Sequence, residues 1–227
     1  MVLATARPPR GVTAFQRELG LVGPSIHYNG ALIHDTASGR HLHHRPLPAA
    51  VAARAVAVAR GIDRELVVQV ETLDRWLTDR VDRALFVATN VGSEPDFLGP
   101  IEACLVQDPT KVMLLAEPDR LRPVRAAVEA AMAGAVELHI SDEHCLQLVA
   151  PGVDKGEALA WWCGRAGVAA AEVLAIGDAP NDAAMLRWAG LGVAVANAWP
   201  EARAAADASV ASNDDDGVAE AIERWVR

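Results

Sequence analysis

Cysteine is scarce. The three present, Cys104, Cys145 and Cys163, are far apart and form no C-x-x-C. That pattern argues against a disulfide frame or a thiolate zinc site, and for reduced structural thiols in a cytoplasmic protein. Long apolar runs are also missing. No uncharged stretch reaches the ~18 residues a membrane span needs, so no membrane span is expected, and the formal net charge of -9 disfavours an anionic membrane surface. The opening, Met1 to Arg7, has no basic lead and only a short apolar run, which does not fit a secretory signal. Basic residues are outnumbered, 21 against 30 acidic, for a formal net charge of -9. This balance disfavours nonspecific binding to nucleic acid. A local basic cluster can still hold a small anion, so phosphorylated substrates stay open.

What is present is a chain of 227 residues, 52% hydrophobic and 22% charged. That is enough apolar material for one large domain or two modest ones, and too little polarity for disorder. Short apolar runs predict strands at Val2 to Ala4, Ser25 to Tyr28, Ala31 to His34 and His41 to Arg45. Asn29-Gly30 is a strong turn pair. Helices are predicted over Val12 to Leu19, Pro48 to Arg60 and Pro118 to Met132. Strands are predicted at Glu65 to Glu71, Lys111 to Ala116, Val136 to Ile140 and Cys145 to Val149. Residues Asp79 to Leu105 give no clear pattern. From Gly156 onward the alternation is regular. Helices at Glu157 to Arg165, Ala183 to Ala189, Pro200 to Ala206 and Gly217 to Val226 are interleaved with strands at Val173 to Ile176, Leu191 to Ala194 and Ala208 to Val210. Such alternation implies βαβ crossovers and a parallel sheet. The middle of the chain is richer in hairpins. The expectation is therefore α/β: a discontinuous parallel-sheet core from 1–33 and 151–227, with an α+β domain inserted over 34–150.

The most informative run is Ile176-Gly177-Asp178-Ala179-Pro180-Asn181-Asp182, which follows a strand and opens a helix. Ligands bind at that place in open α/β sheets, and carboxylates there suit a hard cation together with a phosphate. Asp178 is the leading metal-ligand candidate. Asp182 either supports the metal shell or caps the helix. Asn181 can donate to a phosphate oxygen. Lys155, at the start of the preceding helix, can meet a phosphate. Thr5, with the Ala6 amide and Arg7, ends the first strand and can grip a phosphate, as can Asn29 at a neighbouring strand end. His41, His43 and His44 lie close together. In a hairpin His41 and His43 would share a face and could bind a transition metal. With no third ligand evident, a solvated or substrate-facing strand is the preferred reading. The six tryptophans read as packing residues, and Asp214-Asp215-Asp216 as the solvated cap of the last helix.

Five motifs occur in order: Thr5-Ala6-Arg7-Pro8, Asn29-Gly30-Ala31, Asp154-Lys155-Gly156, Gly177-Asp178-Ala179-Pro180-Asn181-Asp182 and Gly192-Val193-Ala194-Val195-Ala196-Asn197. Together they resemble the Cof-type sugar-phosphatase branch of the haloacid dehalogenase superfamily. The resemblance implies a Rossmann-like core and Mg²⁺-dependent hydrolysis of small phosphorylated metabolites such as sugar phosphates. It implies that Thr5 and the Ala6 amide bind the phosphoryl group and that Lys155 neutralises it. Asp178 would ligate Mg²⁺, Asn181 would hold phosphate, Asp182 would support the metal shell, and the inserted cap would choose the leaving group. His43, Trp76 and Glu143 are cap positions that could touch it.

Two departures stand out. Ala6 replaces the family's usual Gly. The family's Asp-x-Asp-Gly-Thr/Ser stretch, whose first Asp attacks phosphorus and whose second serves as acid and base, has no counterpart ahead of Thr5, and no Asp-x-Asp-Gly is expected elsewhere in the chain. The expectation is a first core strand missing from the chain, with the nucleophile encoded upstream of Met1. The alternative is a catalytically inactive phosphate-binding or regulatory protein. A phosphomutase or a narrow sugar-phosphate phosphatase with a similar cap is a third reading.

Overall fold

A computed structural model describes residues 1–85 and 94–226, which form two compact units, Met1–Val153 and Asp154–Arg227. The part of the unclear Asp79 to Leu105 stretch between 86 and 93 lies outside the described residues.

In the first unit a short helix α1 (Thr13–Glu18) precedes an antiparallel sheet of β1 (Pro24–His27), β2 (Leu32–Asp35) and β3 (Arg40–His44). The expected strand at Val2 to Ala4 is reduced to a single parallel bridge between Ala4 and Ile26. Two backbone bonds hold it: the Ile26 amide donates to the Leu3 carbonyl at 2.8 Å, and the Thr5 amide to the Ile26 carbonyl at 2.9 Å.

The rest of this unit is one layer of helices on one sheet. Helix α2 (Ala49–Ile62) is followed by β4 (Val67–Thr72), β5 (Arg75–Thr78), β6 (Phe97–Leu98) and α3 (Ile101–Cys104). After these come β7 (Lys111–Leu115), α4 (Pro118–Ala131), β8 (Glu137–Asp142) and β9 (Cys145–Val149). The strand order is β6-β5-β4-β7-β9-β8. Strand side chains alternate between faces. Val68 and Val70 of β4, Val112 and Leu114 of β7, and Leu146 and Leu148 of β9 therefore share a face. They pack with Ala52, Val56 and Ala59 of α2 and with Val124 and Val128 of α4. The intervening positions are mixed: Val67, Met113, Leu115 and Cys145 form a second apolar cluster, whereas Gln69, Glu71, Lys111 and Gln147 are polar, yet buried.

The second unit is a parallel three-stranded sheet, β10 (Leu174–Gly177), β11 (Leu191–Val195) and β12 (Ala208–Val210), in that order. Helix α5 (Lys155–Ala166) precedes it, α6 (Ala183–Trp188) and α7 (Pro200–Ala205) make the crossovers, and α8 (Gly217–Trp225) closes the chain. The Asp154 side chain accepts the Glu157 amide at 2.8 Å to start α5. Gly167, at φ 71°, ends it in the left-handed conformation that costs glycine least. The three cysteines are buried and none is in a disulfide. Among the described residues no helix is long and apolar enough to cross a membrane.

Candidate functional site

In the second unit, β10 delivers its last residue, Gly177, to a tight turn that becomes helix α6 through the short helical turn Pro180–Asp182. Asp182 organises that turn. It is buried, and its Oδ2 accepts the backbone amides of Asp178 and Ala179, each at 3.0 Å. Its other oxygen receives the Lys155 ammonium at 2.5 Å, with both side chains more than nine-tenths buried. A Cβ on Gly177 would come within 2.6 Å of the Asp182 Cβ, so glycine is required where the strand passes this carboxylate. A Cβ on Gly156, next to Lys155, would meet the Ala184 backbone at 2.8 Å. Both glycines thus let α5, β10 and the start of α6 approach closely enough for the ion pair to form.

Asp178 is different. Its backbone is fixed at both ends, since its amide donates to Asp182 and its carbonyl accepts the Trp199 amide at 2.8 Å. Its carboxylate is exposed and makes no hydrogen bond or ion pair with the described residues. An oriented, solvated carboxylate at a strand's carboxyl end is the donor type that Mg²⁺ takes, one or two carboxylates completed by water and substrate oxygens. Among the described residues no cluster of three or more His, Cys, Asp or Glu is arranged as a metal cage, and a magnesium site of this kind does not need one. Asn181 lies half-buried in the same turn.

In the first unit Thr5, Ala6 and Arg7 form a loop beside a strained turn. Tyr28, Asn29 and Gly30 all have positive φ (53°, 57° and 110°). Positive φ at a tyrosine is uncommon and needs strong support from its surroundings. The support is visible: the Asn29 amide donates to the Thr5 carbonyl at 3.0 Å, and the Tyr28 hydroxyl donates to the Leu73 carbonyl at 2.6 Å and to Glu71 at 3.1 Å. The Thr5 hydroxyl accepts the Arg7 amide at 3.1 Å. The Arg7 guanidinium is exposed and lies 5.7 Å from the Phe15 ring centre. So the structure brings Thr5, Ala6, Arg7 and Asn29 together in one unit, and Lys155, Asp178, Asn181 and Asp182 together in the other.

Sequence reading missed His27. It is wholly buried, its Nδ1 donates to the Arg7 carbonyl at 3.2 Å, and its Nε2 accepts the Ser25 hydroxyl at 2.7 Å. The carbonyl partner fixes the proton on Nδ1. Burial lowers its pKa to about 4 against the opposing Arg7 hydrogen bond, with His34 and His41 adding to the depression. A neutral imidazole therefore braces the backbone of the Thr5–Arg7 loop. Alternation had given only a short strand here, with no sign that its last residue turned inward.

The buried charges around Glu71 were also unforeseen. The Arg10 guanidinium donates to both Glu71 oxygens at 2.8 Å, and the Lys111 ammonium lies 5.1 Å from the Tyr28 ring centre. Burial raises the Glu71 pKa against the pull of Lys111 and Arg10, and burial lowers that of Lys111 against the pull of Glu71. Trp76 is buried, as a packing residue should be, whereas Glu143 is exposed and His43 half-buried.

Two readings need correction. His41 and His43 do not share a face, because β3 carries a bulge: Leu42 has no partner, His43 lies opposite Ile33, and His41 lies opposite His34. The extra residue inverts the alternation. The second concerns Asp-x-Asp-Gly. Asp214-Asp215-Asp216-Gly217 spells that run, but Val218 follows it and no strand leads directly into it. Its three carboxylates are exposed at the start of α8.

Comparison with known proteins gives a consistent picture. A family model described as haloacid dehalogenase-like hydrolase matches residues 1–222. A 5-amino-6-(5-phospho-D-ribitylamino)uracil phosphatase of Bacillus subtilis is 26% identical over 228 residues, 98% of this chain and 83% of the relative. An HMP-PP phosphatase of Cronobacter sakazakii is 30% identical over 202 residues, 88% of this chain and 73% of the relative. The crystal structure of a haloacid dehalogenase-like hydrolase from Bacteroides thetaiotaomicron superposes with a TM-score of 0.88 at 28% identity, covering 98% of this chain and 85% of that one.

Proposed function

Because the chain belongs to the haloacid dehalogenase-like hydrolase family, we propose that it is a Mg²⁺-dependent phosphatase for small phosphorylated metabolites. The observation that carries the reading is the Asp178 turn: a free, oriented carboxylate whose backbone is clamped by a buried Lys155–Asp182 pair. Asp178 would hold the ion, which when bound would neutralise phosphate oxygens as charge moves in the transition state. Lys155 has two ammonium protons left after its bond to Asp182, and these serve the same phosphoryl oxygens. Asp182 acts through others: both its oxygens are engaged, so it keeps Lys155 and the Asp178 backbone in place, supporting the metal shell rather than entering it. Asn181 donates to phosphate. In the first unit the Thr5 hydroxyl, the Ala6 amide, Arg7 and Asn29 are its phosphate-binding candidates, and the Asn29 amide holds the Thr5 loop.

No Asp-x-Asp-Gly-Thr/Ser stretch occurs in residues 1–227, so this reading puts the attacking carboxylate outside them. Residues 34–150 serve as the cap that selects the leaving group, and 1–33 with 151–227 as the core. Relatives named as phosphatases of a phosphoribitylaminouracil and of HMP-PP support small phosphorylated metabolites as the substrate class.

The test is hydrolysis of a generic phosphomonoester with and without Mg²⁺, by the 227-residue chain and by a form extended through its upstream reading frame. Turnover is expected only in the extended form with Mg²⁺, and Asp178→Asn should reduce it by about 10³-fold or more. Phosphate binding without turnover in both forms would replace this reading with an inactive phosphate-binding protein. Turnover by the short form would refute the placement of the nucleophile.

A further inference from the structure

The bulge in β3 creates a pair of imidazoles that regular alternation would have separated. His34 of β2 and His41 of β3 face each other across the hairpin, with ring centres 5.0 Å apart and Nδ1 atoms 3.3 Å apart. Two nitrogens bound to one tetrahedral zinc ion at roughly 2.0–2.1 Å stand about 3.3–3.4 Å from each other. The pair already has that spacing. It sits on two hydrogen-bonded strands, so little ordering is needed on binding, and both rings are at least partly open to solvent.

We propose that His34 and His41 form a two-imidazole site for a tetrahedral divalent ion of the zinc class. The remaining positions go to water, since no third His, Cys, Asp or Glu joins the pair among the described residues. Neutral imidazole suits Zn²⁺ or Co²⁺ and is a poor partner for Mg²⁺, which prefers oxygen. The site is therefore separate in chemistry from the carboxylate turn at Asp178. The competing arrangement is a hydrogen bond in which one Nδ1–H donates to the other Nδ1, and it predicts no affinity for metal.

Co²⁺ and Zn²⁺ titrations of the whole chain in excess Mg²⁺ decide between them, read by the visible cobalt spectrum and by calorimetry. The expected result is one saturable equivalent that Mg²⁺ does not displace. His34→Gln and His41→Gln should each weaken it at least tenfold, with unchanged far-ultraviolet circular dichroism. His43→Gln, on the opposite face of the strand, should leave it intact. His41→Cys should retain the site and add a sulfur-to-cobalt charge-transfer band, which separates ligation from damage to the hairpin. Absence of saturable binding, displacement by Mg²⁺, or equal binding by the wild type and both glutamine variants would overturn the proposal.

Discussion

Each unit buries a carboxylate against a lysine, and the two carboxylates do different work. In the second unit Asp182 meets one ammonium and spends its other oxygen on two backbone amides of the Asp178 turn. In the first, Glu71 is enclosed by a bidentate arginine, the Tyr28 hydroxyl and the field of Lys111. Asp182 is a local clamp, four residues from the loop it holds. Glu71 ties together positions 43 to 61 residues apart, joining Arg10 and Tyr28 to β4. A buried ion pair is thus a positioning device at one place and a long-range tie at the other. Burial alone does not tell them apart; what the second oxygen touches does.

The strongest way to break that comparison is to neutralise each carboxylate in turn. Glu71→Gln leaves the buried Lys111 without its counter-ion and leaves Arg10 with Asp74 alone. Removing one partner of such a group costs about 3–5 kcal/mol, so a large drop in the urea midpoint is expected. The activity of molecules that remain folded should change little. Asp182→Asn should also destabilise, but in addition it frees Lys155 and loosens the Asp178 turn. Activity per folded molecule should fall by roughly 100-fold, the scale of losing one aligned stabilising group. Equal activity losses in the two variants would erase the distinction.

His27 gives a second, pH-dependent separation. Its folded pKa is about 4, depressed by burial, whereas an unfolded histidine titrates near ~6.5. Above pH 6.5 neither state carries the proton and its contribution to stability is complete. As pH falls toward 4 the unfolded chain gains a proton that the folded chain refuses, and stability is lost over that window. At pH 5.0 this amounts to about 2 kcal/mol relative to pH 7.5. Urea unfolding at the two pH values checks it: the wild type should lose about 2 kcal/mol more than His27→Gln. A parallel loss in both would mean that His27 charges freely in the fold.

Most of the architecture was legible because the signals were local. Cys145–Val149 and Ala208–Val210 appear with the expected bounds, and the other expected helices and strands of the second unit differ only by a residue or two at their ends. Apolar period and glycine or proline punctuation carry that information. The Asp178 turn was also local, five residues between a strand and a helix, so its residues could be named in advance. What escaped notice was non-local. Glu71 ends one expected strand and Lys111 begins another, and nothing nearby in sequence announces Arg10 or Tyr28 as partners of Glu71. The bulge at Leu42 was invisible because one extra residue leaves composition unchanged and inverts every later side chain. The strand at Arg75–Thr78 was missed because it is short and begins with a charged residue.

The smallest expected effect concerns how helix α5 delivers Lys155. Asp154 is its N-cap, in extended backbone conformation, and its carboxylate accepts the Glu157 amide at 2.8 Å. Its negative charge also lies at the positive end of the helix. Asp154→Ala removes one cap bond and one favourable dipole contact, a change worth about 1 kcal/mol. The Lys155–Asp182 pair is held independently by the close approach at Gly156 and by burial, so this loss should appear in stability and not in activity. Chemical unfolding alongside the phosphomonoester assay tests the separation. If Asp154→Ala lowered activity as much as Asp182→Asn, the cap would be setting the position of Lys155, and the clamp assigned to Asp182 would extend one residue beyond the ion pair to the helix end itself.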